Sequence, residues 1–236
     1  MIACIESGIS GFDKLTHTDS FVGGIPENSA TLIYGPPKTG KSVFSNQFCY
    51  HGLSNQEPCL YITTNNGLEI FKDNMNDFNL PVDDYLTNKS LYIIDTMSEI
   101  LEKRSEPSEN IVLSEINNPT DLMVKIGSRV NNIRKQNPIF RSVFNSTTPL
   151  FAYNESMLIV RVIKAYLMRI IEAGGTPFIT YNEDSADPIV ETMLKSMVDN
   201  IIRLDGEELK IEAMKGFGRI SFPYKITEKG IVLQDF

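Results

Sequence analysis

One segment of this chain reads Gly35-Pro36-Pro37-Lys38-Thr39-Gly40-Lys41-Ser42. It has the spacing G-x-x-x-x-G-K-S of a phosphate-binding loop, in which backbone N–H groups and the N-terminus of the next helix bind phosphate oxygens. The apolar run 30–34 before it predicts a strand, and residues 43–48 after it predict a helix. In this context we expect a nucleotide site in which Lys41 reaches the β- and γ-phosphates and the Ser42 hydroxyl holds Mg²⁺.

The composition restricts the functions that the chain can have. It contains 236 residues, 42% of them apolar, and no linker-like stretch divides them, so we expect a single domain over residues 1–236. The net charge of −8 gives no support to nucleic-acid binding through a broad basic surface, and we do not expect a nucleic-acid partner. Nucleic-acid binding would therefore require a local basic groove.

The cysteines and the apolar segments bear on the location of the protein. Cys4, Cys49 and Cys59 show no C-x-x-C spacing, which predicts free thiols in a reducing cytoplasm. Charged residues interrupt the most apolar helical segment, at Arg161 and Arg169 among others, so we expect no membrane span.

Strand and helix patterns alternate along the chain, which predicts an α/β fold with a mainly parallel central sheet flanked by helices. The predicted strands are 30–34, 58–63, 90–94, 139–144 and 176–181, and the predicted helices are 41–53, 67–77, 120–136 and 155–173. Asn154 is the expected cap of the last helix. Residues 102–119 read as a long surface loop with a short structured piece at 111–113. From about residue 207 the pattern predicts a small antiparallel C-terminal extension with strands 208–214, 219–224 and 231–234.

Several further segments carry a family signature. They are Gly8-Ile9-Ser10-Gly11-Phe12-Asp13-Lys14-Leu15, Gly23-Gly24-Ile25-Pro26-Glu27, Leu60-Tyr61-Ile62-Thr63-Thr64 and Phe222-Pro223-Tyr224-Lys225-Ile226-Thr227-Glu228-Lys229-Gly230-Ile231. Together with the phosphate-binding segment, and in this order, they resemble the RecA superfamily and specifically its KaiC-like ATPase domains. The resemblance covers nearly the whole chain. It implies a RecA-like P-loop NTPase fold, ATP and Mg²⁺ as ligands, and assembly with copies of itself, in many relatives as a hexameric ring with ATP between neighbouring subunits.

The resemblance also assigns a role to Lys215, which occupies the position of a residue that neighbouring subunits point at the γ-phosphate. The companion basic residue of the family, two positions earlier, is Ala213 here, so this contact between subunits would be incomplete. An exposed lysine without a nucleotide contact is an equally good interpretation.

The chain departs from the family pattern at the catalytic glutamate. Relatives read Thr-Thr-Glu-Glu after the second strand, and a glutamate there activates the attacking water. Here the residues are Thr63-Thr64-Asn65-Asn66. An amide cannot accept a proton as a carboxylate does, and general-base catalysis is worth about 10²–10⁴-fold in rate. We therefore expect nucleotide binding to persist while hydrolysis is slow or absent.

A second departure concerns the aspartate that supports Mg²⁺ at the end of an apolar strand. Asp95 follows the run 91–94 and Asn145 follows the run 139–144. We favour Asn145, because its strand precedes the long helix as the metal strand does in relatives. An amide there orients a water but contributes no charge. The alternative, in which Asp95 or Glu99 serves as the catalytic acid, stays open at this point.

Three functions follow from these patterns. The leading one is an ATP-binding switch or scaffold with weak or absent hydrolysis. Bound nucleotide would stabilise one conformation or a ring interface, and a protein partner would recognise that state. The alternative is an active ATPase in signalling or regulation that uses Asp95, Glu99 or acids from a partner. A DNA-recombination accessory role is less favoured, because the loop 183–188 is acidic and would repel phosphate.

Overall fold

The computed structural model describes residues 2–19, 21–97 and 107–234. Within these ranges two short strands, β1 (Cys4–Ile5) and β2 (Ile25–Pro26), form an antiparallel pair, and ten strands form one large sheet. The strands of the large sheet are β3 (Thr31–Gly35), β4 (Cys59–Thr63), β5 (Leu91–Asp95), β6 (Ile111–Leu113), β7 (Phe140–Asn145), β8 (Gly175–Asn182), β9 (Asn200–Leu204), β10 (Glu208–Ala213), β11 (Ile220–Thr227) and β12 (Gly230–Leu233). The helices are α1 (Phe12–Leu15), α2 (Lys41–Ser54), α3 (Leu68–Asn76), α4 (Asp83–Thr87), α5 (Pro119–Gln136), α6 (Thr148–Tyr153), α7 (Ser156–Glu172) and α8 (Pro188–Ser196).

The large sheet is parallel from β9 to β6 and antiparallel beyond β9. Its strand order is β12-β11-β10-β9-β3-β8-β7-β4-β5-β6. The strands from β9 to β6 pair in parallel, and β9 to β12 pair as antiparallel neighbours. This arrangement confirms the predicted α/β class, the mainly parallel sheet and the antiparallel extension. The sequence interpretation missed β9, which joins the two parts because it pairs with β3 on one side and β10 on the other.

The parallel strands are covered on both faces, as a parallel sheet requires. All five residues of β3 are buried, and their side chains alternate between two apolar clusters. Ile33 packs on the face that carries α2, where Phe48 stacks on Phe178 with ring centroids 3.7 Å apart. Leu32 and Tyr34 pack on the other face, which α5, α7 and α8 cover. The central strand is therefore held from both sides directly before the phosphate-binding segment begins.

One local prediction was wrong and another was confirmed. The long helix α7 is capped by Glu155, whose carboxylate accepts from the N–H groups of Met157 and Leu158 at 2.9 and 2.6 Å. The side chain of Asn154 donates instead to carbonyls before the helix. The short structured piece predicted at 111–113 within the expected surface loop is confirmed, because these residues form β6 beside β5, and α5 begins at residue 119. Residues 98–106, including part of that expected loop, lie outside the described residues.

Among the helices of the described ranges, none is both long enough and apolar enough to cross a bilayer. In α7 the basic residues Arg161, Lys164 and Arg169 interrupt the apolar sequence.

Arg141 of β7 is a fully buried cation beneath α2. Its Nε donates to Glu57 Oε2 at 2.7 Å, and its Nη1 donates to the carbonyl of Phe48 at 2.9 Å. The guanidinium carbon also lies 4.5 Å from the centre of the Phe48 ring. Since a buried charge is costly without a partner, Glu57 is the group that makes this arginine tolerable in the core.

We expect Glu57→Ala to lower the free energy of unfolding by roughly 2–4 kcal/mol, somewhat less than for a fully enclosed pair because Glu57 is partly exposed. Urea unfolding monitored by circular dichroism measures the change. Glu109→Ala is the matched control, because it breaks an ion pair with Lys89 in which both side chains are more than half exposed. Equal effects of the two substitutions would contradict a stabilising role for the Glu57 carboxylate.

Candidate functional site

The phosphate loop, residues 35–42, connects the end of β3 to the start of α2. Gly35 has φ 143° and Gly40 has φ 96°, and Lys38 between them is also left-handed at φ 66°. A Cβ on Gly35 would collide with the carbonyl of Leu204 on β9. The two glycines of the motif are thus required here by backbone conformation and by close packing.

Lys41 is folded back onto the loop that it follows. Its Nζ donates to the carbonyls of Gly35 at 2.9 Å and Pro36 at 2.5 Å, and the residue is only 6% exposed. Burial lowers the pKa of this amine to about 8, although the negative charge of Glu183 acts in the opposite direction. An anionic ligand bound in the loop would be a better hydrogen-bond partner for the ammonium group than these neutral carbonyls are.

The remaining loop residues divide into an inner and an outer set. Thr39 is buried, and its hydroxyl donates to the carbonyl of Pro36 at 3.0 Å, which closes the loop on itself. Pro37 and Lys38 are exposed on the outside, and Ser42 is exposed at the first turn of α2.

Asn145 meets Ser42 at the end of β7. Its Oδ1 accepts hydrogen bonds from Ser42 Oγ at 3.1 Å and from Thr180 Oγ1 at 2.9 Å. Its Nδ2 donates to the Tyr61 hydroxyl at 2.7 Å, and that hydroxyl donates to Asn46 Oδ1 at 2.7 Å. Burial raises the pKa of Tyr61, so the whole network is uncharged at neutral pH.

Asp95 serves a different part of the fold. Its two carboxylate oxygens accept from the backbone N–H groups of Leu68 and Met97, each at 2.8 Å, so it binds the N-terminus of α3. In the sheet, β5 lies two strands beyond β7, and both pair at the level of Thr63 with β4 between them. Two strand spacings place Asp95 roughly 10 Å further from the phosphate loop than Asn145. Glu99, the other alternative acid, lies outside the described residues.

A cavity of about 270 Å³ lies beside Ser42, between α2, the end of β4 and α3. It brings together the residues that the sequence singled out on separate segments: Ser42, Asn65, Asn66 and Asn145. Its complete lining in the described part of the chain is Ser42, Val43, Asn46, Tyr61, Thr63, Asn65, Asn66, Phe71, Asn74, Phe78 and Asn145. Five of these residues are asparagines and none is charged, so the cavity is polar but neutral.

Lys215 is not brought to the phosphate loop of its own chain. It is exposed on the turn after β10, and its backbone N–H donates to Asn200 Oδ1 at 3.0 Å. Asn200 pairs with Thr31 at the start of β3, whereas the loop begins at the other end of that strand. The strand between them spans roughly 13 Å.

Two residues near the loop were missed as site residues by the sequence interpretation. The N–H of Glu183 donates to the carbonyl of Gly35 at 3.0 Å, and Arg203 binds both carboxylate oxygens of Glu183 at 3.1 and 3.0 Å. The hydroxyl of Tyr224 donates to the carbonyl of Thr39 at 2.5 Å. A signal existed only for Glu183, which lies two residues after the end of the predicted strand 176–181.

A parallel sheet with a phosphate loop after its central strand defines this chain as a RecA-like P-loop domain. The family model "ATPase: KaiC" matches residues 5–235, which is nearly the whole chain. A UPF0273 protein of Thermotoga maritima is 30% identical over 249 residues, which cover 99% of this chain and 96% of that protein. A UPF0273 protein of Methanopyrus kandleri is 29% identical, with 96% and 90% coverage.

The fold comparison agrees. A KaiC-like protein of Pyrococcus horikoshii superposes with a TM-score of 0.75 at 23% identity, over the full length of both chains. The chain belongs to the KaiC ATPase family. Proteins of this family generally bind ATP with Mg²⁺, which agrees with the nucleotide site expected from the phosphate loop.

We expect Lys41 to titrate with a pKa of about 8 in the ligand-free protein, against an ordinary value of 10.5. Above that pH the neutral amine predominates, so affinity for inorganic tripolyphosphate should fall as the pH rises through 8. A pH titration of ¹³Cε-labelled lysines by NMR measures the pKa, and Lys41→Ala assigns the resonance. Lys210 is the internal reference, since the Asp205 carboxylate raises its pKa. Titration of Lys41 together with Lys210 would contradict the effect of burial.

Proposed function

We propose that this protein binds ATP at residues 35–42 and acts as a nucleotide-dependent switch or scaffold with weak or absent hydrolysis. The observation that carries the proposal is the neutral cavity beside Ser42. Asn65 and Asn66 stand where relatives have the catalytic glutamate, and Asn145 stands where they have the metal-supporting aspartate. The features needed to bind phosphates are retained, while the acids needed for catalysis are replaced by amides.

Phosphate binding would use groups that are already in place. The backbone N–H groups of the phosphate loop and of the first turn of α2 carry partial positive charge, which attracts an anion. Lys41 would exchange its two loop carbonyls for β- and γ-phosphate oxygens, and the added negative charge would favour its ammonium form.

The oxygen donors near Ser42 fit a Mg²⁺ ion that arrives with the nucleotide. Mg²⁺ prefers six oxygen ligands and keeps several waters. The Ser42 hydroxyl would hold the ion, and Asn145 would orient one of its waters. No cluster of three or more His, Cys, Asp or Glu side chains suited to a metal occurs in the part of the chain described, so the phosphates would supply the anionic ligands. Bound in this way, Mg²⁺ would neutralise phosphate charge.

Hydrolysis requires a group that takes a proton from the attacking water. The amides of Asn65 and Asn66 cannot do so, and the loss of such a base lowers rates by about 10²–10⁴-fold. A long-lived ATP complex suits a protein whose bound state is itself the signal, because the ligand stabilises the conformation that it binds best.

We propose that the chain, as one domain over residues 1–236, assembles with copies of itself, in a ring that could be hexameric, or acts on a protein partner. The exposed position of Lys215, far from its own phosphate loop, supports a contact with the nucleotide of a neighbouring subunit. Nothing in the acidic loop 183–188 favours nucleic acid, since Glu183 is negative and already bound by Arg203. The buried free thiols of Cys49 and Cys59 agree with a cytoplasmic location.

The proposal predicts Lys41-dependent binding of ATP without turnover. Equilibrium binding and single-turnover hydrolysis of radiolabelled ATP with Mg²⁺ should be measured on the native chain, on Lys41→Ala and on Lys135→Ala. Lys135→Ala removes an exposed lysine at the end of α5 and should bind like the native chain. Loss of the charged hydrogen bonds of Lys41 should weaken binding by about tenfold or more. Clear Lys41-dependent turnover by the native chain would instead identify an active ATPase.

A second prediction concerns restored hydrolysis. Replacing the amides by acids, as Asn65→Glu or Asn66→Glu combined with Asn145→Asp, should raise single-turnover hydrolysis by about 10²-fold or more. The Tyr61 hydroxyl now accepts from Asn145 and donates to Asn46. After Asn145→Asp it can donate to the new carboxylate at position 145, provided that the amide of Asn46 rotates and donates to Tyr61. Asn74→Asp combined with Asn145→Asp is the matched control, because it adds the same two charges to the same cavity but places one of them where no catalytic role is predicted. An equal gain from this control would show that negative charge alone, without positioning, is responsible.

A further inference from the structure

The C-terminal hairpin, formed by β11 and β12, reaches the phosphate loop through Tyr224. The hydroxyl of Tyr224 donates to the carbonyl of Thr39 at 2.5 Å and accepts from the N–H of Gly206 at 3.1 Å. The residue is only 5% exposed, so both hydrogen bonds are shielded from water. Tyr224 therefore has a fixed position and holds one carbonyl of the loop.

Apolar side chains of the same hairpin cover the loop at its second glycine. A Cβ added to Gly40 would lie 2.8 Å from Cδ1 of Ile226 and 3.3 Å from Cδ1 of Ile231. The hairpin thus occupies the space next to the backbone that must turn into α2. Ile226 is itself 44% exposed, so its contact with the loop is not explained by burial in the core.

Gln47 holds the hairpin to the helix that follows the loop. Its Oε1 accepts from the N–H of Ile231 at 2.7 Å, and its Nε2 donates to the carbonyls of Lys229 and Ile231 at 3.3 and 3.5 Å. A side chain on Gly230 would collide with the amide of Gln47. The hairpin is consequently bound at two places: to the loop by Tyr224 and to α2 by Gln47.

The Tyr224 contact also determines where a loop N–H group points. In a trans peptide unit the C=O and N–H bonds point in opposite directions. Because Tyr224 holds the carbonyl of Thr39, the N–H of Gly40 in the same peptide unit points away from the hairpin. That direction leaves the N–H of Gly40 available to an anion in the loop. The left-handed conformation of Lys38 makes such an external hold valuable, because a residue that carries a side chain adopts it at a cost in free energy.

We propose that the C-terminal hairpin is a positioning element of the phosphate loop, with Tyr224 as the positioning residue. The proposal rests on the nucleotide site proposed above, and it adds the structural element through which a partner would detect whether nucleotide is bound. Coupling between two sites is reciprocal. If the hairpin favours the binding conformation of the loop, bound nucleotide favours the docked hairpin by the same factor, and a partner that contacts the hairpin detects nucleotide occupancy.

The test begins with Tyr224→Phe, which keeps the ring and removes only the hydroxyl. We expect its affinity for ATP to fall about three- to tenfold, the effect of one lost hydrogen bond. Affinity for inorganic tripolyphosphate should fall by the same factor, because Tyr224 acts on the phosphate-binding backbone. Tyr85→Phe is the matched control, since its hydroxyl lies near Ser54 at the opposite end of α2. Both affinities are measured by isothermal titration calorimetry, with melting temperatures recorded for each variant.

Amide hydrogen exchange provides a readout that a purely structural role would not change. ATP should slow exchange in residues 220–233 of the native chain, and the protection should be smaller in Tyr224→Phe. Ile226→Ala, at a half-exposed position, should give a second and milder loss of ATP affinity without a change in fold.

The outcomes separate this proposal from the proposed function. If the native chain and Tyr224→Phe bind ATP equally well and Lys41→Ala does not, the positioning role is wrong and the nucleotide site stands. If the native chain does not bind ATP, both proposals are wrong. Unchanged exchange in the hairpin on addition of ATP would overturn the coupling even if Tyr224→Phe binds more weakly.

Discussion

The site depends on the register of the parallel strands. Because β3, β8, β7, β4 and β5 run in one direction, their carboxyl ends meet at one edge of the sheet, with Gly35 opposite Asn182 and Thr63 opposite both Asn145 and Asp95. Both faces are covered by apolar clusters, so a slip by one residue would turn every buried side chain of a strand to the wrong face. The core therefore fixes the positions of the polar residues at the strand ends, and its members Tyr61 and Phe71 also line the cavity beside Ser42.

The electrostatics of this edge are those of a site that holds an anion. The amine of Lys41 and the start of α2 are positive, and the nearby carboxylate of Glu183 is bound on both oxygens by Arg203. The cavity beside Ser42 contributes amides and hydroxyls in a connected network. The amides and hydroxyls of this network orient their neighbours, but none of them is a base that could take a proton from water as a carboxylate does. Under the proposed function, such a site would favour a stable bound state over turnover.

The antiparallel part of the sheet belongs to the site as much as the parallel part does. β9 brings the carbonyl of Leu204 against Gly35, and the hairpin beyond it brings Tyr224 to Thr39. The loop is thus in direct contact with the hairpin that ends the ten-stranded sheet. The exposed Lys215 lies at the opposite end of these strands.

The local sequence was sufficient for the α/β class, the phosphate-loop motif and the antiparallel extension, because strand ends and loop motifs carry their geometry in neighbouring residues. The roles expected of positions 65, 66 and 145 rested instead on the resemblance to KaiC-like domains. The fold was needed to bring Asn145, rather than Asp95, to Ser42, since strand order in a sheet is not written in the pattern of any single strand. The same holds for β9, whose short apolar run gave no clear signal, and for Tyr224, which lies 185 residues from Thr39 in the chain. Contacts of this kind arise from packing between distant segments, and only the three-dimensional arrangement specifies them.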